Sequence, residues 1–438
     1  MTDPARSVRD EALTTASAGR SDGSTRLKRD LGLLDAIGIG FGAIIGAGIF
    51  VVTGVAAGIA GPALLVGLLI AALAATANAL TSAQLAAEYP HAGGTYEYGY
   101  RLLNPWAGFA AGWMFLASKI AAAGTVALGL AGYLDAVLAG LSPRVVAVGA
   151  IVVFTLLNYV GTKQSARANL AIVSVSLGAL TLFVVAGASS VQLSHLRPFA
   201  PAGWRGTLEA AALLFFAYTG YARIATLAEE VRDPKRVIPR AIVLTIGGAV
   251  FLYLGVAIVA LGAVGADAMA ATRAPLWVAA HAFPAAWVAP LIAIGGVTAM
   301  LGVILSQLLG LSRMVFAMAR RGDLPRSLAH VDPRYHVPGR AVLAVGAVAA
   351  VVAATGTLRG VASAASFTIL VYYGIANVAA LRMPRAAKLY SDAVPMVGLV
   401  GCATLALSLT PSIIAMGAGV LLAGVAVRTL LVRNATRT

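Results

Sequence analysis

The sequence predicts an all-α protein that crosses a membrane about twelve times, and three observations carry that expectation. Of its 438 residues, 60% are hydrophobic and 11% are charged, against roughly a quarter charged in an ordinary soluble domain. The apolar residues gather into runs of about 20, the length that crosses some 30 Å of hydrocarbon as a helix. Those runs lack the alternation over about ten residues that barrel strands require. The same arithmetic excludes a cytosolic enzyme, a disulfide-stapled secreted domain and a disordered chain. Cys402 is the single cysteine, so neither an intramolecular disulfide nor a cysteine metal cage can form.

Taken in order, the apolar runs cover 33–57, 62–87, 105–138, 145–162, 168–190, 207–230, 238–264, 286–318, 340–356, 359–381, 394–410 and 411–432. The third and eighth are long enough to tilt or to continue past the membrane surface. The last two meet at Thr410-Pro411-Ser412, where a very short turn must separate them. The first run follows some 30 polar residues with no cleavage-type pattern and is read as a true span rather than a signal peptide. Residues 1–30 read as a flexible tail.

The formal charge of +15 orients the chain. With the N-terminus inside, twenty-five of the 32 basic residues fall on the cytoplasmic side. Five, Arg144, Arg197, Arg205, Arg273 and Arg359, fall outside. Such a bias over short loops is the positive-inside signal. It places both termini in the cytoplasm of a multi-pass plasma-membrane protein, and it accounts for the charge without a nucleic-acid partner. Lys119 and Arg223 remain within spans.

Two spans carry interruptions. Between Gly38 and Gly48 the first has five glycines in eleven positions, each worth up to about 1 kcal/mol against helix. The helix is therefore weakest near Gly46-Ala47-Gly48. The sixth is interrupted by Leu214-Phe215-Phe216-Ala217-Tyr218-Thr219-Gly220-Tyr221. Paired interruptions at corresponding positions of two halves point to a transporter site, where free backbone groups and half-helix dipoles meet a charged solute.

At these residues the chain resembles the amino acid–polyamine–organocation permeases, particularly bacterial amino acid permeases related to cationic amino acid transporters. The carrying motifs are Gly46-Ala47-Gly48-Ile49-Phe50, Gly61-Pro62-Ala63 and the run from Glu88 to Tyr96. Phe215 to Gly220, Ala228-Glu229-Glu230, Asp233-Pro234 and Gly322-Asp323-Leu324-Pro325 follow in order. The resemblance implies a LeuT-like inverted repeat of five plus five helices, about 31–195 and 200–385, within a core of 31–385. Two extra helices and a short tail occupy 386–438. It implies alternating access around a central site. There the carboxylate of an amino acid or related amine substrate meets N–H groups of Gly46, Ala47 and Gly48. Its ammonium meets carbonyls of Ile44, Phe216 and Ala217. Phe216, Tyr218 and Tyr221 would shape or gate the pocket beside Gly220.

Departures from the family pattern are informative. Many proton-coupled relatives have a lysine midway along the fifth helix, and the corresponding position here is Ser176. The third span instead holds Ser118-Lys119 at mid-length. A lysine there costs roughly 2.5–3.5 kcal/mol on insertion scales, so a role is its default reading. Lys119 either carries the coupled proton or pairs with an acidic substrate side chain; snorkelling along a tilted helix is the structural alternative. Some relatives carry an acid just after the sixth-helix break; here that position is Ala222, followed by Arg223, and pairing with Glu230 two turns on is the expected compensation.

Secondary amino acid transport, proton-coupled or by exchange, is the expected function. A sodium symporter of the same fold, with Thr298 and Ser306 as donors, and a transport-inactive sensor or channel are the alternatives. The five histidines show no metal-ligand spacing, no Walker A pattern is present, and no catalytic constellation is visible. No cofactor, no metal and no disulfide-linked accessory subunit are expected.

Overall fold

In the computed structural model, described for residues 31–89, 93–161, 166–225 and 231–435, each of the predicted runs falls mainly on helix over its described residues, and the described residues contain no strand, only one isolated bridge between Leu31 and Val231. The first run divides into α1 (Leu33–Ile44), a π turn (Gly48–Val52) and α2 (Thr53–Ala60). There follow α3 (Leu64–Glu88), the short α4 (Thr95–Leu102), α5 (Pro105–Leu138), α6 (Pro143–Val160) and α7 (Ala166–Gly187). The sixth run is α8 (Gly203–Tyr218), a 3₁₀ turn (Thr219–Tyr221) and α9 (Ala222–Ala225). Then come α10 (Pro234–Ala270), α11 (Pro275–His281), α12 (Val288–Arg321), α13 (Gly339–Thr355), α14 (Leu358–Leu381), α15 (Ala393–Ser408) and α16 (Pro411–Ala435).

Local chemistry explains many of these limits. Asn104 caps α5 by accepting from the Ala107 N–H at 2.9 Å, with Pro105 in the first turn. Such a proline gives up only an N–H that has no intrahelical partner. At Gly265 the backbone of α10 is non-helical (φ 78°), one residue beyond the predicted end of the seventh span.

The bundle has an outer apolar face. Leu73, Val145, Val185, Phe251 and Leu422 are 66–84% exposed, which in water would be an aggregation surface and in a bilayer is matched to lipid. The interior is made of small residues and aromatics. It also holds one buried polar knot, in which the Asn377 amide donates to Asn78 Oδ1 at 2.6 Å and Cys402 Sγ lies 3.4 Å from the same oxygen. That knot ties α15 to α3 and α14. The chain is an all-α, multi-pass membrane protein.

Candidate functional site

The first-span interruption is a real break. Ile45 is extended (φ −75°, ψ 116°), its N–H still donating to the Phe41 carbonyl, and the helix resumes through the π turn. Gly46, Ala47 and Gly48 thus lead into a new half-helix, where the first N–H groups have no intrahelical acceptors. On the other side of the break the Ile44 carbonyl accepts a hydrogen bond from the Tyr253 hydroxyl of α10 at 2.9 Å. One of its two lone pairs stays available. Farther along, Tyr133 of α5 donates to the Phe50 carbonyl at 2.8 Å.

In the sixth span the α-helix ends at Tyr218 and tightens into a 3₁₀ turn. The Phe216 carbonyl accepts from both the N–H and the hydroxyl of Thr219, the latter at 2.9 Å. Its lone pairs are therefore used within the turn, which weakens the assignment of Phe216 as an ammonium acceptor.

The two breaks meet. A Cβ on Gly48 would lie 2.5 Å from Ala217 Cα, and one on Gly220 would collide with the Ala43 carbonyl and the Ile44 nitrogen. Only glycine permits these approaches. Tyr218 is fully buried, its ring 5.5 Å from that of Tyr253, and its hydroxyl has no partner among the described residues. Tyr221, also fully buried, packs 5.4 Å from Tyr373. Phe216 packs against the small cluster of Val52, Leu213 and Ala362, beside the half-helix that follows the break. Of the residues singled out in the sequence, Ile44, Gly46, Ala47, Gly48, Ala217, Tyr218 and Gly220 come together here.

Others sit around that centre. The Ser118 hydroxyl is committed to the Ala365 carbonyl of α14 at 2.9 Å. Ser176 donates toward Ile172 and Gly295, both at 2.9 Å, bridging α7 to α12. Thr298 and Ser306 spend their hydroxyls on carbonyls of their own helix. Lys119 places Nζ 5.9 Å from the Phe115 ring centroid, and its carbonyl accepts from Gln307 of α12 at 2.9 Å. Glu230, the expected partner of Arg223, lies outside the described residues.

A second cluster ties α4 to the ends of α12 and α16. Tyr96 and Tyr100 donate to Asp323, each at 2.6 Å, and Arg428 stands 3.6 Å from the same carboxylate. Glu97 pairs with Arg101 at 2.6 Å and Arg321 at 2.8 Å, and Arg321 lies 4.3 Å from the Tyr100 ring centroid. Burial opposes ionisation of Glu97, but the hydrogen bonds and charges of Arg101 and Arg321 prevail and hold its carboxyl below the usual value. Burial, then the hydrogen bond to Asp323, push the Tyr100 phenol up to about 12.

Tyr253, Tyr133, Gln307 and the Asp323 cluster escaped the reading of the sequence. Each acts across 80 residues or more, and no local spacing announces such a contact.

A family profile described as amino acid permease matches residues 31–427. An uncharacterised transporter of Mycobacterium tuberculosis is 46% identical over 417 residues, covering 94% of each chain. A branched-chain amino acid permease of Bacillus subtilis is 32% identical, covering 82% of each. A methylthioribose transporter of the same bacterium is also 32% identical, covering 83% of each.

Proposed function

The chain belongs to the amino acid permease family of the amino acid–polyamine–organocation superfamily, a family of transporters rather than enzymes, and on that premise we propose that it carries an amino acid across the plasma membrane by alternating access. The substrate's carboxylate meets N–H groups of Gly46, Ala47 and Gly48, and its ammonium meets the remaining lone pair of Ile44 and the Ala217 carbonyl. A zwitterion leaving water needs both charges satisfied, and broken helices supply oriented backbone groups for this without added charge.

The meeting of the two breaks, Gly48 against Ala217 and Gly220 against Ala43, is the observation that carries the reading. Parting and closing of this contact around a solute would supply the two arrangements that alternating access requires. Two five-helix repeats, 31–195 and 200–385, move about this centre, and residues 386–438 brace it through α15 and α16. Both termini face the cytoplasm, where the basic residues collect, and transport is driven by protons or by exchange.

Purified protein in liposomes, offered labelled amino acids under imposed proton, sodium or counter-substrate gradients, tests this. Accumulation driven by a proton gradient or by exchange is expected. Accumulation that requires sodium would overturn the coupling, and absence of uptake for every amino acid would overturn the function.

A further inference from the structure

Lys119 is a basic side chain within a span whose role the helix breaks leave unexplained, and its position relative to them can be measured along α12. Val303 of that helix touches Gly46, its Cγ2 3.2 Å from where a Cβ would stand, and Gln307, four residues on, holds the Lys119 carbonyl at 2.9 Å. The lysine backbone therefore sits about one helical turn, roughly 5.4 Å, from the level of the break. A carboxylate three bonds out along a substrate side chain, at about 1.5 Å per bond, covers most of that step.

Among the described residues, the charge that acts on Lys119 is positive. Arg223, just past the sixth-span break, and Lys119 repel each other, and Arg313 of α12 repels Arg223 in turn. Arg223 has interactions of its own. The Lys119 ammonium, by contrast, has the Phe115 ring as its neighbour and no carboxylate or carbonyl acceptor among the described residues. The described acids flank the spans or lie near their ends, as Glu97, Glu209 and Asp323 do. An ammonium held inside a bilayer without an anion is a standing cost. An anionic solute arriving at the break removes it.

We propose that Lys119 is a specificity-determining residue that pairs with a second carboxylate on the substrate, so that the site favours an acidic amino acid. This rests on the break being the substrate site. It assigns to Lys119 a contact with the substrate side chain, where the breaks contact only the groups every amino acid shares.

The test uses the full-length protein, reconstituted for uptake and in detergent for ligand-dependent thermal shift, with glutamate, aspartate, glutamine and leucine as probes. Glutamate and aspartate are expected to be carried best and to give the largest shift. Lys119→Gln should lose at least tenfold in apparent affinity for glutamate while glutamine is held within about twofold, and Lys119→Arg should restore glutamate. Wild-type preference for glutamine or leucine over glutamate overturns the inference and leaves amino acid transport standing. So does a Lys119→Gln protein that keeps glutamate affinity and loses only its dependence on a proton gradient. No uptake and no thermal shift with any amino acid removes both readings together. Should Lys119→Gln fail to fold, Lys119→Arg decides alone: retained preference for glutamate supports the pair, and uniform loss across all four probes contradicts it.

Discussion

Gly48 and Ala217 lie backbone against backbone, so closely that a single methyl on Gly48 would stand 2.5 Å from both Cα and Cβ of Ala217. Overpacking of this kind costs typically 1–3 kcal/mol. Gly48→Ala is expected to lower transport at least tenfold with a modest fall in melting temperature. Ala217→Gly in the same chain should restore part of the loss, since the two positions share one contact. Uptake by the single and double variants in liposomes measures the coupling; purely additive losses would show that the contact is incidental.

The Ile44 carbonyl and the Tyr253 hydroxyl make a second testable link, because that bond fixes the broken end of α1 from a helix 209 residues away. Tyr253→Phe removes it and should cost about 0.5–1.5 kcal/mol, with the orphaned carbonyl free to move. Substrate affinity should fall a few-fold while the protein still elutes as a single species. An affinity equal to wild type would mean that the bond does not position the site.

Glu97 predicts a pH signature. Its carboxyl is held below the ordinary value by Arg101 and Arg321, so the stabilisation is present above the ordinary carboxylate range and is lost as pH falls through it. The melting temperature of the detergent-solubilised protein should drop on acidification below about pH 4. Glu97→Gln should melt lower at neutral pH and show a shallower acid limb; parallel curves for the two proteins would contradict the assignment.

Ser176 occupies the position where a proton-carrying lysine is expected from the family pattern, and its hydroxyl is spent on bridging Ile172 and Gly295. Ser176→Ala is therefore expected to leave the proton dependence of uptake unchanged and to lower stability by about 1 kcal/mol. A changed proton dependence would return the coupling role to this position.

Much of the fold was legible because helix limits are written locally. The third span was read as 105–138 and is Pro105–Leu138, with Asn104 as cap and Pro105 in the first turn; the seventh was ended at 264, and Gly265 is where α10 kinks. The short α4 and α11 were missed, since eight and seven residues are too few to register as membrane-length runs. The glycine-rich break was visible as weak helix propensity, and its partnership with Ala217 and Gly220 was visible through family pattern. Tyr253 on Ile44, Gln307 on Lys119 and Tyr96 on Asp323 were not. Such contacts are made by packing between distant segments, and the residue types involved carry no signal of them.

The most direct test of the central claim, that the meeting helix breaks hold the substrate, is uptake of labelled amino acids into liposomes bearing either wild-type protein or Gly48→Leu, at matched protein content and matched elution profile. Saturable uptake by wild type, and uptake no greater than that of empty liposomes by Gly48→Leu, is the predicted result. Equal saturable uptake by the two proteins would contradict it.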